Sequence, residues 1–122
     1  RTTMAYQSFE DLEVWRRGCQ QAVTVCQTMM LCPNYTFKDQ MQRSALSVPS
    51  NIAEGHARAT RKDYAHFVSI ARGSAAELET LLLLAGDAEL LPRDATQPAL
   101  DKTDRVAKML TRLHARLKEP QE

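Results

Sequence analysis

Among the side chains that could do chemistry, the first arrangement is Asp63-Tyr-Ala-His66, a carboxylate and an imidazole one helical turn apart. That spacing is partly similar to the carboxylate–histidine pairs with which some four-helix bundles hold two iron ions. Such centres require two Glu-x-x-His pairs and two further inward glutamates. This chain offers one aspartate version, and His66 falls beside the apolar stripe of its segment, so no metal is expected. His56, His66 and His114 are scattered, and Cys19, Cys26 and Cys32 form no zinc set with them. Cys19 and Cys26 stand seven apart, roughly 10 Å along a helix axis and too far for a disulfide. Reduced thiols and a cytoplasmic protein are therefore expected. The sequence has neither a glycine-rich phosphate loop nor a nucleophile elbow. We read a non-enzymatic chain without a cofactor.

Cations are the other candidates. The 122 residues carry 16 Lys and Arg against 15 Asp and Glu, a net charge of +1. So even a balance argues against a surface wholly devoted to nucleic acid. The distribution is uneven: residues 38–62 hold five bases against two acids, while residues 63–92 hold Arg72 alone against five acids. Arg58, Arg61 and Lys62, with Arg72 a few turns on, form the candidate phosphate-contacting patch. Its ordinary alternative is a solvated helix end, because single surface charges contribute little. Trp15, Tyr64 and Phe67 fall on expected core stripes, which leaves no aromatic ladder for stacking bases.

These residues need helices to position them. Leu12, Trp15, Cys19, Ala22, Cys26 and Met29 recur at spacings of three and four, predicting a first helix with Ser8 as its cap that stops before Cys32-Pro33-Asn34. Phe37, Met41, Ala45, Val48 and Ile52 predict a second. Pro49 lies inside it and costs about 3 kcal/mol through the donor it lacks. Because the stripe continues to Ile52, one helix kinked at Pro49 is favoured over a break with Ser47 as a fresh cap. A third helix starts at Thr60 or Arg61 with Tyr64, Phe67, Ala71, Ser74 or Ala75, Leu78, Leu82 and Ala85 inward, and Ala65, Ser69, Gly73 and Ala76 as a second face of small residues. Leu90-Leu91-Pro92 ends it, and Asp94 or Thr96 can cap a fourth, built on Leu100, Thr103, Ala107 or Val106, Leu110, Leu113 and Leu117. The expected fold is all-α: a single domain over residues 1–122, an antiparallel up-down four-helix bundle. No apolar run approaches the roughly 18 residues of a membrane span, and no signal-peptide core opens the chain.

Gln40, Arg43, Ser47, Asn51, Glu54 and Arg58 form a polar stripe about 100° from the apolar one on the second helix. Ser47, Asn51 and Gly55 are poor helix formers, so an exposed stripe gains nothing from them. A contact with a partner helix would use them, with Glu54 facing Arg43 or Arg58 and Gly55 permitting close approach. We expect this surface to be a subunit interface.

Three segments carry a resemblance: "SFEDLEVW" at 8–15, "DQMQRSALSVPSNIAEG" at 39–55 and "DYAHFVSIARGSAAELE" at 63–79. The chain resembles the small bacterial four-helix-bundle proteins encoded within 23S rRNA intervening sequences. The resemblance implies a homo-oligomeric ring, a homopentamer, with no known enzymatic activity. By position, Gln40, Arg43, Ser47, Asn51, Glu54, Gly55, Gly73, Ser74 and Glu77 carry the family pattern; His56 stands where relatives more often have a bulky apolar residue. The accessory variability determinants of diversity-generating retroelements are similar ring proteins that bind nucleic acid and a reverse transcriptase. Three functions stay open: an RNA-binding ring, a retroelement accessory protein joining template RNA to a reverse transcriptase, and a purely structural assembly module. Repeating a few cations around five copies would give a rim able to release many counterions.

Overall fold

The computed structural model describes residues 9–120, with side chains from residue 11 onward. Four helices follow in order: α1 (Phe9–Met29), α2 (Tyr35–His56), α3 (Arg61–Asp87) and α4 (Arg93–Lys118). Short connections make successive helices antiparallel, and α4 returns to α1, closing an up-down bundle without strands among the described residues. One end of the bundle therefore gathers the starts of α1 and α3 and the ends of α2 and α4.

Two clusters fill the interior. Val48, Ile52, Tyr64, Val68, Leu110 and Leu113 pack toward that end. Met29, Met41, Leu78, Leu82 and Ala99 pack toward the other. Each large side chain so enclosed contributes about 1.5–3 kcal/mol. α2 runs unbroken through Pro49, as one helix rather than two.

The ends follow local chemistry. Asn34 caps α2, its side chain accepting from the Phe37 amide at 3.0 Å. Thr60 caps α3, its hydroxyl accepting from the Asp63 amide at 3.1 Å. At the far end of α3 the Leu90 amide reaches the Ala85 carbonyl (2.9 Å) and the Glu89 amide that of Gly86 (3.1 Å). These are the paired bonds of a Schellman turn, with Glu89 at φ 61° where glycine is usual. α4 departs from expectation: neither Asp94 nor Thr96 caps it. It starts directly after Pro92, which has no capping side chain, because buried Leu91 anchors the turn and Pro92 enters already extended. The Ser8 cap expected for α1 lies outside the described residues.

The largest correction concerns α1. Leu12 and Trp15, expected in the core, are 55% and 39% exposed, and Cys19 and Cys26 are half-buried. The inward face is instead Asp11, Val14, Gly18, Gln21 and Val25, with Ala22 and Met29 buried as expected. Gly18 lies on this inward face: a Cβ there would stand 3.6 Å from Val48 Cγ1, Pro49 Cβ and Ile52 Cδ1, ordinary contact distance, so α1 packs against α2 along this line.

Candidate assembly and nucleic-acid surfaces

The polar stripe of α2 meets α3 of the same chain. Ser47 Oγ and Ser74 Oγ are 2.7 Å apart, and Asn51 Nδ2 donates to Ser47 Oγ at 2.9 Å and to the Ser47 carbonyl at 2.8 Å. This network joins two helices of one bundle, so the poor helix formers Ser47 and Asn51 need no second copy to satisfy them. Gly55 has an internal reason too. A Cβ there would come within 2.7 Å of Phe67 Cβ, 3.0 Å of Tyr64 Cδ1 and 3.1 Å of the Tyr64 carbonyl. Close approach was legible in the sequence, and within the described chain the approaching group is α3. Of the two arginines offered to Glu54, Arg58 takes it at 2.8 Å, while Arg43 pairs with Asp39 at 3.0 Å. Gln40 and Glu77 are exposed. At Gly73 a Cβ would meet nothing within 4 Å, so nothing inside the described bundle requires a glycine there.

The four candidate cations do not form one free patch. Arg58 is held by Glu54 and lies 4.7 Å above the Phe67 ring. Arg61 Nη2 donates to the Arg116 carbonyl at 2.6 Å, satisfying an end of α4 where the helix dipole favours positive charge. Lys62 is exposed beside them. Arg72 lies on the α4 side of α3, where burial, then Arg72 and Lys118, hold the His114 imidazole below its ordinary value. Arg58, Arg61 and Lys62 are together at the α2–α3 end; Arg72 is not with them.

Cations on α1 and α4 become assignable once those helices are seen side by side. Arg16 and Arg17 share Glu13 at 2.7 and 2.9 Å, and hydrogen bonding from Arg16 draws the Glu13 carboxyl below its usual range against the opposing effect of desolvation. Arg116 reaches Asp11 at 2.8 Å. Pro98, Lys102, Arg105, Met109, Arg112 and Arg116 recur at spacings of four and three, and all six line grooves along the α1–α4 seam. The signal was present in the sequence as a second helical stripe, but its neighbour was not.

The rotation of α1 lays a row of apolar side chains outside the core. Leu12, Trp15, Val23 and Met30 are all exposed, with half-buried Cys19 and Cys26 in the same row. Burial raises the Cys19 thiol above its usual value, which disfavours a reactive thiolate. At its start the row borders a hollow lined by Leu12, Trp15, Ile52, Ala53 and His56. Asp63 and His66, the one carboxylate–imidazole pair at metal spacing, are both exposed, and His66 stacks edge-on against Phe67. No three His, Cys, Asp or Glu side chains converge as a metal set among the described residues, nor is any described helix long and apolar enough to cross a membrane.

A family model described as 23S rRNA-intervening sequence protein matches residues 10–112. No curated protein matches. Among solved structures, a Bacteroides thetaiotaomicron protein of unknown function from the S23 ribosomal protein family superposes with a TM-score of 0.83. The match covers 88% of this chain and 99% of that one at 22% identity, a likeness of fold.

Proposed function

This chain belongs to the 23S rRNA-intervening sequence protein family, and from that premise we propose that it works without catalysis, as a homo-oligomeric ring that binds structured RNA by its phosphates. The observation that carries this reading is the apolar row on α1, with Leu12, Trp15, Val23 and Met30 all exposed. A contiguous apolar face of this kind is costly to leave in water and marks an interaction site. A second copy is the fitting occupant: the resemblance implies a ring of five, and a net charge of +1 opposes self-association little. Gly73, with open space before it, offers an adjoining helix close approach.

Assembly also supports the RNA reading. One copy at +1 holds a polyanion weakly; a ring repeats Arg58 and Lys62 at each bundle end and releases counterions in proportion to the phosphates it neutralises. Fluorescence anisotropy of the assembled protein with a structured rRNA fragment and a DNA duplex across a salt series tests it. Binding should fall steeply with salt, favour RNA, and weaken in Arg58→Gln/Lys62→Gln, which leaves the Arg61 contact to α4 intact. A preference for the duplex would count against an RNA ligand, and no binding at low salt would leave a structural assembly module.

A further inference from the structure

We propose that the seam between α1 and α4 is a track for the phosphates of a nucleic-acid strand, centred on Lys102 and Arg105; this rests on the RNA-binding reading above and names a surface for it. A groove of about 260 Å³ opens between the two helices, lined by Arg17, Gln20, Pro98, Asp101, Lys102 and Arg105. Three of those side chains are cations and one is an acid. The acid, Asp101, accepts from the neutral amide of Gln97 at 2.9 Å and keeps its charge, so the cations of the groove exceed its acid by two. Arg17 is held at the rim by Glu13 at 2.9 Å. Lys102 and Arg105 are exposed, and no carboxylate among the described residues lies within ion-pair distance of either.

Most cations elsewhere on the described surface have partners. Arg43, Arg58 and Lys108 each pair with an acid one turn back, and Arg61 is spent on a carbonyl. A cation already neutralised releases fewer counterions from a polyanion than a free one, so the free pair in the groove is worth more to phosphate binding than its number suggests.

The row continues along α4 through Arg112 to Arg116, fourteen residues or about 21 Å from Lys102. There it meets the bundle end, where Arg61 touches the Arg116 carbonyl at 2.6 Å. A strand lying in the seam would thus pass from Lys102 and Arg105 by way of Arg112 toward exposed Lys62 at the bundle end, with Glu13 and Glu119 the acids that line the second groove on the way. Gln20 adds an amide donor, and Pro98 and Met109 give the floor apolar patches on which sugars can rest.

The test is anisotropy of the full chain with a structured rRNA fragment over a salt series, comparing wild type with Lys102→Gln/Arg105→Gln. Both residues are exposed, so thermal melting followed by circular dichroism should be unchanged. Affinity in 0.1 M salt should fall about tenfold or more, the slope of log K against log salt should drop by about two, and Lys102→Arg/Arg105→Lys should restore both. If the neutral variant binds like wild type while Arg58→Gln/Lys62→Gln weakens, the track is overturned and the RNA reading stands. If wild type does not bind, both fall. If polyglutamate displaces the RNA as well as unlabelled RNA does at equal charge, the seam takes acidic chains in general and the phosphate assignment is overturned.

Discussion

The guanidinium of Arg116 stands 2.8 Å from the carboxylate of Asp11, whose side chain is fully enclosed. That contact ties the start of α1 to the end of α4, the two elements farthest apart in the chain. Arg61 reaches the carbonyl of the same Arg116, so α3 joins the tie through one residue.

Removing either partner should destabilise the bundle unequally. Arg116 is 38% exposed and can be hydrated when Asp11→Asn removes the charge, which should cost about 2 kcal/mol. Arg116→Met leaves an enclosed carboxylate without its guanidinium and should cost about 3 kcal/mol or more. Urea unfolding of both variants checks the order; equal and small losses would mean that the tie contributes little.

Gly55 and Gly73 should respond to alanine in opposite senses. At Gly55 the new Cβ would be forced against Phe67 and Tyr64, a cost of about 1–3 kcal/mol even after the gain in helix propensity. At Gly73 the space is open, so alanine should raise the stability of the single chain by about 0.5–1 kcal/mol. If the Gly73 surface meets another copy, the same alanine should weaken association, which sedimentation of the variant would reveal.

Glu89 holds a left-handed backbone at φ 61° to close the turn after α3. Relieving an L-residue of that conformation is worth about 1 kcal/mol. Glu89→Gly should therefore raise the melting temperature, whereas Glu89→Ala, with the same backbone demand, should not.

His114 sets a pH dependence. Its folded-state value lies below the ordinary 6.5, by burial first and then by Arg72 and Lys118. A depressed group stabilises the fold above its unfolded value, so this contribution is complete above pH 6.5 and is lost as pH falls below it. In an NMR titration the His114 midpoint should lie under 6.5 and rise in Arg72→Gln; a midpoint unmoved by that change would contradict the pairing.

What the sequence disclosed depended on how far each contact reached. Met41, Ala45, Val48 and Ile52 could be placed inward because they form one continuous apolar stripe that stays in register through Pro49, whereas Leu46 stands off it and is exposed. α1 was misjudged by one position because it is apolar on two faces. The inward face is the one that sets Gly18 beside Pro49, lets Gln21 Nε2 donate to Thr103 Oγ1 at 3.3 Å, and brings Asp11 to Arg116. Those partners are about 30 to 105 residues away, beyond any local pattern. Ser47, Asn51 and Ser74 could be singled out as residues with a task, but not assigned to a contact within one bundle rather than between two. The sequence alone does not bring Lys102 and Arg105 to a groove, because Arg17 and Gln20, which line it with them, lie about 80 residues away in the chain.

Self-association through the apolar row of α1 is the claim on which the ring and its repeated cations rest, and sedimentation equilibrium at micromolar concentration tests it most directly. The account predicts a mass several times the 13.8 kDa of one chain, reduced toward that value by Trp15→Glu. A single species of 13.8 kDa across that range would contradict it.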